Sequence, residues 1–402
     1  MTFSALPLSY CTNVHPAQTV QEVVDGLNEH SARAVRLAHG HMAAGLWLPA
    51  AVVDDLREEP ALLEQIGQAL WQNNLCCYTL NTFPYGDFHS DRVKEQVYIP
   101  DWASPDRVIY TERCAEILAK LLPPGADGSL STVPLGGRMN PQDPDFMAVC
   151  FANLIRVAKF LAHLHESTGK HIRLAIEPEP MCHLSSTNQL TLPVFRHLMD
   201  LAETVGSGPL VREYVGLCFD VCHQAVEFED VAESIRSIHD AGIRINKVHI
   251  TNAVELPDPM TNAAGRQALM HYAEPRYLHQ TSARMADGRI LWRTDLQTKD
   301  LQTSGDDEFL RAEAWRVHFH VPVYAESLGP LRTTRSDLIR ALQQVRELPY
   351  APHLEVETYT WPVMPGDSDE RPSDSESTLA HRIAAEINSA FAILEQLNSE
   401  QG

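Results

Sequence analysis

The chain carries little positive charge: 32 lysines and arginines stand against 53 aspartates and glutamates, a formal charge of -21. A protein that grips nucleic acid by its phosphates presents a basic surface, so this balance argues against a DNA or RNA partner unless a local basic patch is hidden in the sum. No CxxC pair occurs among the eight cysteines at 11, 76, 77, 114, 150, 182, 218 and 222. A thiolate zinc site would need other spacings, and the cysteines read as buried, reduced thiols of a cytoplasmic protein. No apolar run approaches the ~18 residues of a membrane helix. The N-terminus, Met1-Thr-Phe-Ser-Ala-Leu-Pro7, lacks the basic and apolar regions of a secretory signal. There is no internal repeat and no Walker or dinucleotide fingerprint; Gly136-Gly137-Arg138 offers at most a backbone approach to a ligand.

What is present is an alternation. The 402 residues are 44% hydrophobic, enough for a large core, and fit a (β/α)8 barrel with insertions. Short apolar strands are expected at Ala5–Tyr10, Gly45–Leu48, Leu75–Leu80, Leu130–Leu135, Ile172–Glu177, Val215–Asp220, Ile245–Ile250 and Leu354–Tyr359. Helical spacing fills most of the gaps, including Asp143–Thr168 and a closing helix at Leu379–Leu397. Alternation of this kind predicts a parallel sheet wrapped by helices, and eight strands favour closure into one α/β domain, 1–402. About a hundred residues between the last two strands break the rhythm. They hold a hairpin signal at Asp287-Gly288 and an extra strand at Arg316–Pro322, and are expected to form an insertion or lid over 254–316. A polar acidic stretch, 364–378, reads as a mobile loop.

Four strand ends carry metal-ligand residues: Leu174-Ala-Ile-Glu177, Leu217-Cys-Phe-Asp220-Val-Cys-His223, Lys247-Val-His249 and Leu354-Glu-Val-Glu357. One acid after a strand is usually a solvated loop residue or an ion-pair partner. Three acids and a histidine at one barrel rim would repel one another unless a cation neutralised them. The expected ligands are Glu177, Asp220, His249 and Glu357, around Mn2+, Mg2+ or Zn2+. Glu355 competes with Glu357 because both lie on one face of a strand, but Glu357 is nearer the C-terminal end where barrel sites form. Glu179 competes with Glu177 from between two prolines. His318 and His320, at period two, can aim at one point. With His223 they suit substrate binding or a possible second metal.

These strand ends resemble the xylose-isomerase-like barrel superfamily, which includes sugar epimerases and isomerases as well as zinc nucleases of the endonuclease IV type. The resemblance is best from Leu174 to Trp361. It implies Glu177, Asp220, His249 and Glu357 as the epimerase ligands, and His223 as a substrate contact or, in the nuclease, a further metal ligand. The nuclease type also needs histidines from early strands; His15, His39, His41 and His89 are available, none in a matching motif. A narrower likeness covers nearly the whole chain. Asn81-Thr-Phe-Pro-Tyr-Gly-Asp-Phe-His89, Val317-His-Phe-His-Val-Pro322 and Leu354-Glu-Val-Glu-Thr-Tyr-Thr-Trp361 are similar to the Ebo-type metabolite-traffic proteins of bacterial secondary metabolism.

The implied function is a divalent-metal isomerase or epimerase of a sugar-like or cyclitol-like polyol. Glu177 and Glu357 would exchange a proton through a metal-stabilised enediolate. The alternatives are a zinc phosphoester hydrolase and a metabolite-binding barrel without turnover.

Overall fold

The computed structural model describes residues 3–38, 42–138, 145–301, 307–365 and 375–399. Seven parallel strands come first: β1 (Leu8–Cys11), β2 (Met42–Trp47), β3 (Thr79–Asn81), β4 (Gly128–Thr132), β5 (Ile172–Ile176), β6 (Val215–Asp220) and β7 (Ile245–Ile250). Six more form a separate antiparallel sheet: β8 (Ala253–Pro257), β9 (Thr281–Arg284), β10 (Ile290–Arg293), β11 (Ala314–His320), β12 (Ser327–Leu328) and β13 (Leu331–Thr333). The last, β14 (His353–Val356), pairs with both β7 and β1 and closes an eight-stranded barrel. The chain is therefore a (β/α)8 barrel.

The barrel strands are short and buried on both faces. Several end earlier than their apolar runs suggest. The fourth was expected to reach Leu135 and stops at Thr132; the eighth was expected to reach Tyr359 and stops at Val356. Val133, Leu135 and Tyr359 stay buried as loop residues packed over the rim, so their hydrophobicity reports burial and not pairing. The first and third strands likewise begin later than expected, at Leu8 and Thr79.

The barrel interior is unusually polar for a layer that is commonly branched aliphatic. Lys247 is fully buried, with Nζ 2.5 Å from Glu355 Oε1 and 3.2 Å from Ser131 Oγ. Ser9 Oγ donates to Glu355 Oε2 at 2.7 Å. Glycine at 45 makes this possible: a Cβ there would lie 1.5 Å from Glu355 Oε2.

The helix Phe146–Thr168 is long and apolar enough, by length and composition, to cross a membrane. Here it carries Arg156 and Lys159 and buries Cys150, Leu154, Val157 and Leu161 against the barrel core. The extra sheet spans Ala253 to Thr333, beyond the 254–316 expected of the insertion, and has its own core around Leu256, Trp315, Val317 and Phe319. The hairpin at Asp287-Gly288 joins β9 to β10, with Gly288 at φ +84°. The rest of the long gap is the barrel's own last crossover helix, Arg335–Arg346. Residues 366–374, most of the loop read as mobile, lie outside the described residues.

Candidate metal centre and pocket

Four adjacent barrel strands, β5, β6, β7 and β14, deliver the four acid and histidine side chains. Glu177 follows β5, Asp220 ends β6, His249 lies near the end of β7, and Glu357 follows β14. Register places Asp220 beside His249 and His249 beside Glu355. All four are buried, and one ligand atom from each lies within 4.8 Å of the others.

The geometry fixes which atom each side chain offers. Asp220 caps the short helix Val221–Val226: its Oδ1 accepts from the His223 amide at 3.0 Å and from Thr251 Oγ1 at 2.7 Å. That cap holds the Asp220 side chain in place and leaves Oδ2 free to face the cluster. Glu357 Oε1 accepts from Asn13 Nδ2 at 2.8 Å and Asn81 Nδ2 at 2.6 Å, which turns Oε2 inward. His249 Nδ1 lies 3.1 Å from Glu177 Oε1, 3.1 Å from Glu357 Oε2 and 3.4 Å from Asp220 Oδ2. Its other nitrogen, Nε2, is 3.3 Å from Glu355 Oε1.

The electrostatics fit a cation. Burial disfavours the His249 imidazolium, but the neighbouring Cys218, Glu177 and Glu357 outweigh it and hold the ring well above its ordinary pKa. Glu177 Oε2 and Asp220 Oδ2 are buried without a hydrogen-bond partner. Oxygen donors with one imidazole are the set that suits a divalent ion. Glu355 is taken up elsewhere: it lies on β14, two residues before Glu357, and is paired to Lys247, which holds its pKa down at about 2 against the cost of burial.

The three further histidines meet beside this cluster. His223 Nδ1 donates to the Pro178 carbonyl at 2.9 Å, His318 Nδ1 to Gln280 Oε1 at 2.7 Å, and His320 Nδ1 to the Glu357 carbonyl at 2.7 Å. Each ring therefore turns Nε2 toward the cluster side, and the Nε2 atoms of His223 and His318 are 3.1 Å apart. Two acceptors cannot face at that distance without a proton or a cation between them. Burial opposes charge on His223, but Asp220, Glu177 and Glu179 raise its pKa. Burial and the neighbouring His223 and His320 depress His318 well below its ordinary range.

Glu179, the competitor of Glu177, is buried in the pocket wall, where Oε1 accepts from Tyr98 OH at 2.6 Å and Gln280 Nε2 at 2.8 Å. Burial lifts its carboxyl to about 7. Asn13 and Asn81 gave only the signal of standing at strand ends. Other polar residues of the insertion are engaged as scaffold: His279 Nε2 with Glu274 at 3.0 Å, Asp295 with Lys94 at 2.8 Å, and Arg293 with Asp307 at 2.5 Å. His15 is buried outside the pocket, stacked on His30. The cluster opens into a pocket bounded by the loop after β3, the insertion and the loop after β14.

No family model matches the chain, and no curated protein does. Among solved structures, a D-tagatose 3-epimerase-like protein aligns over 99% of this chain and 100% of its own, at 11% identity and a TM-score of 0.52. A D-psicose 3-epimerase, determined in the presence of D-fructose, aligns over 98% of this chain and 99% of its own, at 12% identity and a TM-score of 0.48. An IolI protein with a bound zinc aligns over 96% and 99%, at 12% identity and a TM-score of 0.46. At such identities it is the fold that is shared, and the first of these carries that statement: the chain has the barrel fold of a D-tagatose 3-epimerase-like protein.

Proposed function

We propose that the protein is a divalent-metal-dependent isomerase or epimerase acting on a sugar-like or cyclitol-like polyol, in keeping with the Ebo-type resemblance to proteins of bacterial secondary metabolism. The observation that carries this reading is the convergence of Glu177, Asp220, His249 and Glu357 with unpaired carboxylate oxygens facing one point. These four would hold Mn2+, Mg2+ or Zn2+. The bound ion would supply polarisation of two adjacent substrate oxygens and stabilise the negative charge that develops when a neighbouring C–H is lost.

The residues do the rest. Glu177 and Glu357 approach the cluster from β5 and β14, strands separated in the barrel by β6 and β7. One takes the proton and the other returns it. Asn13 and Asn81 keep Glu357 from rotating. Glu355 Oε1, 3.3 Å from His249 Nε2, lies on the far side of the ring from the cluster and would favour Nδ1 facing the ion. His223 orients a substrate hydroxyl, and His318 and His320 line the same wall. The insertion acts as the lid, joined to the β3 loop by the Val93 and Lys94 amides, which both donate to the Arg276 carbonyl.

A zinc phosphoester hydrolase is the second reading. It draws on the Nε2 atoms of His223, His318 and His320, which with Asp220 and Cys222 form two further groups of ligand-forming side chains. The test for the first reading is proton exchange. Manganese-loaded protein in D2O, given a panel of ketoses and inosose-type cyclitol ketones, should place deuterium next to the carbonyl of its substrate. Glu357→Gln should slow that exchange by about 10²–10⁴-fold. Metal-loaded protein that exchanges nothing across the panel would point instead to a binding protein.

A further inference from the structure

The cavity has two unlike halves. Its polar half holds the four-residue cluster with His223, His318 and His320. Its other half is apolar: Phe83, Phe88, Val93, Tyr277, Leu278 and Tyr359 line it, each less than a tenth exposed. Three of these rings pack on one another. Phe88 and Tyr277 have centroids 5.0 Å apart, Phe88 and Tyr359 5.1 Å, and Tyr277 and Tyr359 4.9 Å. Tyr359 also lies 4.9 Å from His320, so the apolar wall begins where the polar half ends.

This wall is built and held. Phe88 and Val93 come from the loop after β3, Tyr277 and Leu278 from the insertion, and Tyr359 from the loop after β14. Lys94 ties the first two together. Its Nζ donates to the carbonyls of Tyr277 at 2.6 Å and Glu274 at 3.2 Å and pairs with Asp295 at 2.8 Å. The residue accepts a φ of +41°, uncommon for a side chain of this kind, to do so.

Several polar groups nearest this half are already engaged, while the Tyr277 hydroxyl and Asn13 Oδ1 are buried without a hydrogen-bond partner. The Asn13 and Asn81 amides serve Glu357, Asn81 Oδ1 accepts from the Phe83 amide, and the Lys94 ammonium is spent on the clamp. A simple polyol carries hydroxyls all round. Those pointing at Phe83, Phe88, Val93 and Leu278 would lose water and gain no partner, which weakens binding. An apolar substituent loses nothing there and buries its surface.

We propose that the substrate is amphiphilic: a hydroxy-ketone or vicinal diol gripped at the Glu177–Asp220–His249–Glu357 end, bearing an aryl-sized apolar substituent seated among Phe88, Tyr277 and Tyr359. This rests on the metal-site reading above and narrows its substrate class.

The test is calorimetric binding to the full-length, manganese-loaded protein of two small hydroxy-ketones. One is 1,3-dihydroxyacetone; the other is 2-hydroxyacetophenone, which has a phenyl ring in place of one hydroxymethyl group. The aryl ketone should bind at least about tenfold more tightly, and Phe88→Ala should collapse that ratio toward one. Leu278→Gln serves the same purpose should Phe88→Ala fail to fold. Equal affinities, a preference for dihydroxyacetone, or binding of neither overturns the apolar subsite. Stripping the metal with EDTA tests the underlying reading separately. If the aryl ketone binds as well without metal, the metal-site reading falls; if metal dependence persists with no aryl preference, the apolar subsite alone falls.

Discussion

The barrel and the sheet laid across its mouth are made of different material. The barrel strands run parallel, are buried on both faces, and are locked in register by their neighbours, which fixes where a strand-end side chain sits. The insertion sheet is antiparallel, with strands as short as two residues and an edge strand, β10, of which no residue is fully buried. It contributes His318, His320, Tyr277 and Leu278. The division places the groups proposed for metal holding and proton transfer on the rigid part, and groups that shape the ligand on the part where sequence change costs least.

Perturbing the barrel should cost most. Gly45→Ala puts a methyl group where the Glu355 carboxylate lies and 2.7 Å from Ser9 Oγ. Displacing Glu355 leaves Lys247 buried without its partner, and urea denaturation should show a loss of about 3–5 kcal/mol. A loss below about 1 kcal/mol would mean that the polar barrel interior is softer than described.

The seam between the two regions is held by Glu386. Its carboxylate accepts from Tyr10 OH at 2.8 Å, Thr358 Oγ1 at 2.7 Å, the Val323 amide at 3.2 Å and Trp361 Nε1 at 3.0 Å. Burial outweighs these four donors and lifts its pKa from 4.5 to about 7. A raised folded-state pKa means that the stabilisation is complete below pH 4.5 and is lost as pH climbs through about 7. Denaturation of the wild type and of Glu386→Gln across that window should diverge by up to about 3 kcal/mol, the wild type losing stability relative to the variant as pH rises. Parallel curves would remove Glu386 as the titrating group.

The smallest effect belongs to the insertion hairpin. Gly288 has no heavy atom within 4 Å of a built Cβ, so Gly288→Ala meets only the strain of its φ of +84°. About 1 kcal/mol is expected from thermal unfolding, with manganese content unchanged. A lost metal would show that the two regions are coupled more tightly than their separate cores imply.

The same contrast explains what the sequence disclosed. Barrel strands announce themselves as apolar runs between helices, and the convergence of Glu177, Asp220, His249 and Glu357 followed from their places at run ends. Strands β12 and β13 are only two and three residues long, and β8 follows β7 after only Thr251 and Asn252. The crossover helix Arg335–Arg346 was absorbed into the long gap because polar residues dominate it. Glu355 and Glu357 share a face, and only the burial of Lys247, invisible in a linear reading, separates the ion-paired carboxylate from the one turned to the cavity. The roles of Asn13 and Asn81 depend on closure of β1 and β3 onto one barrel, which no local pattern encodes.

The most direct test of the central claim is metal content, measured by plasma emission after reconstitution and exhaustive dialysis, in the wild type, Asp220→Asn and His318→Ala. The account predicts one tightly held divalent ion per chain in the wild type, its loss in Asp220→Asn, and its retention in His318→Ala. An Asp220→Asn protein that keeps the wild-type metal content would contradict it.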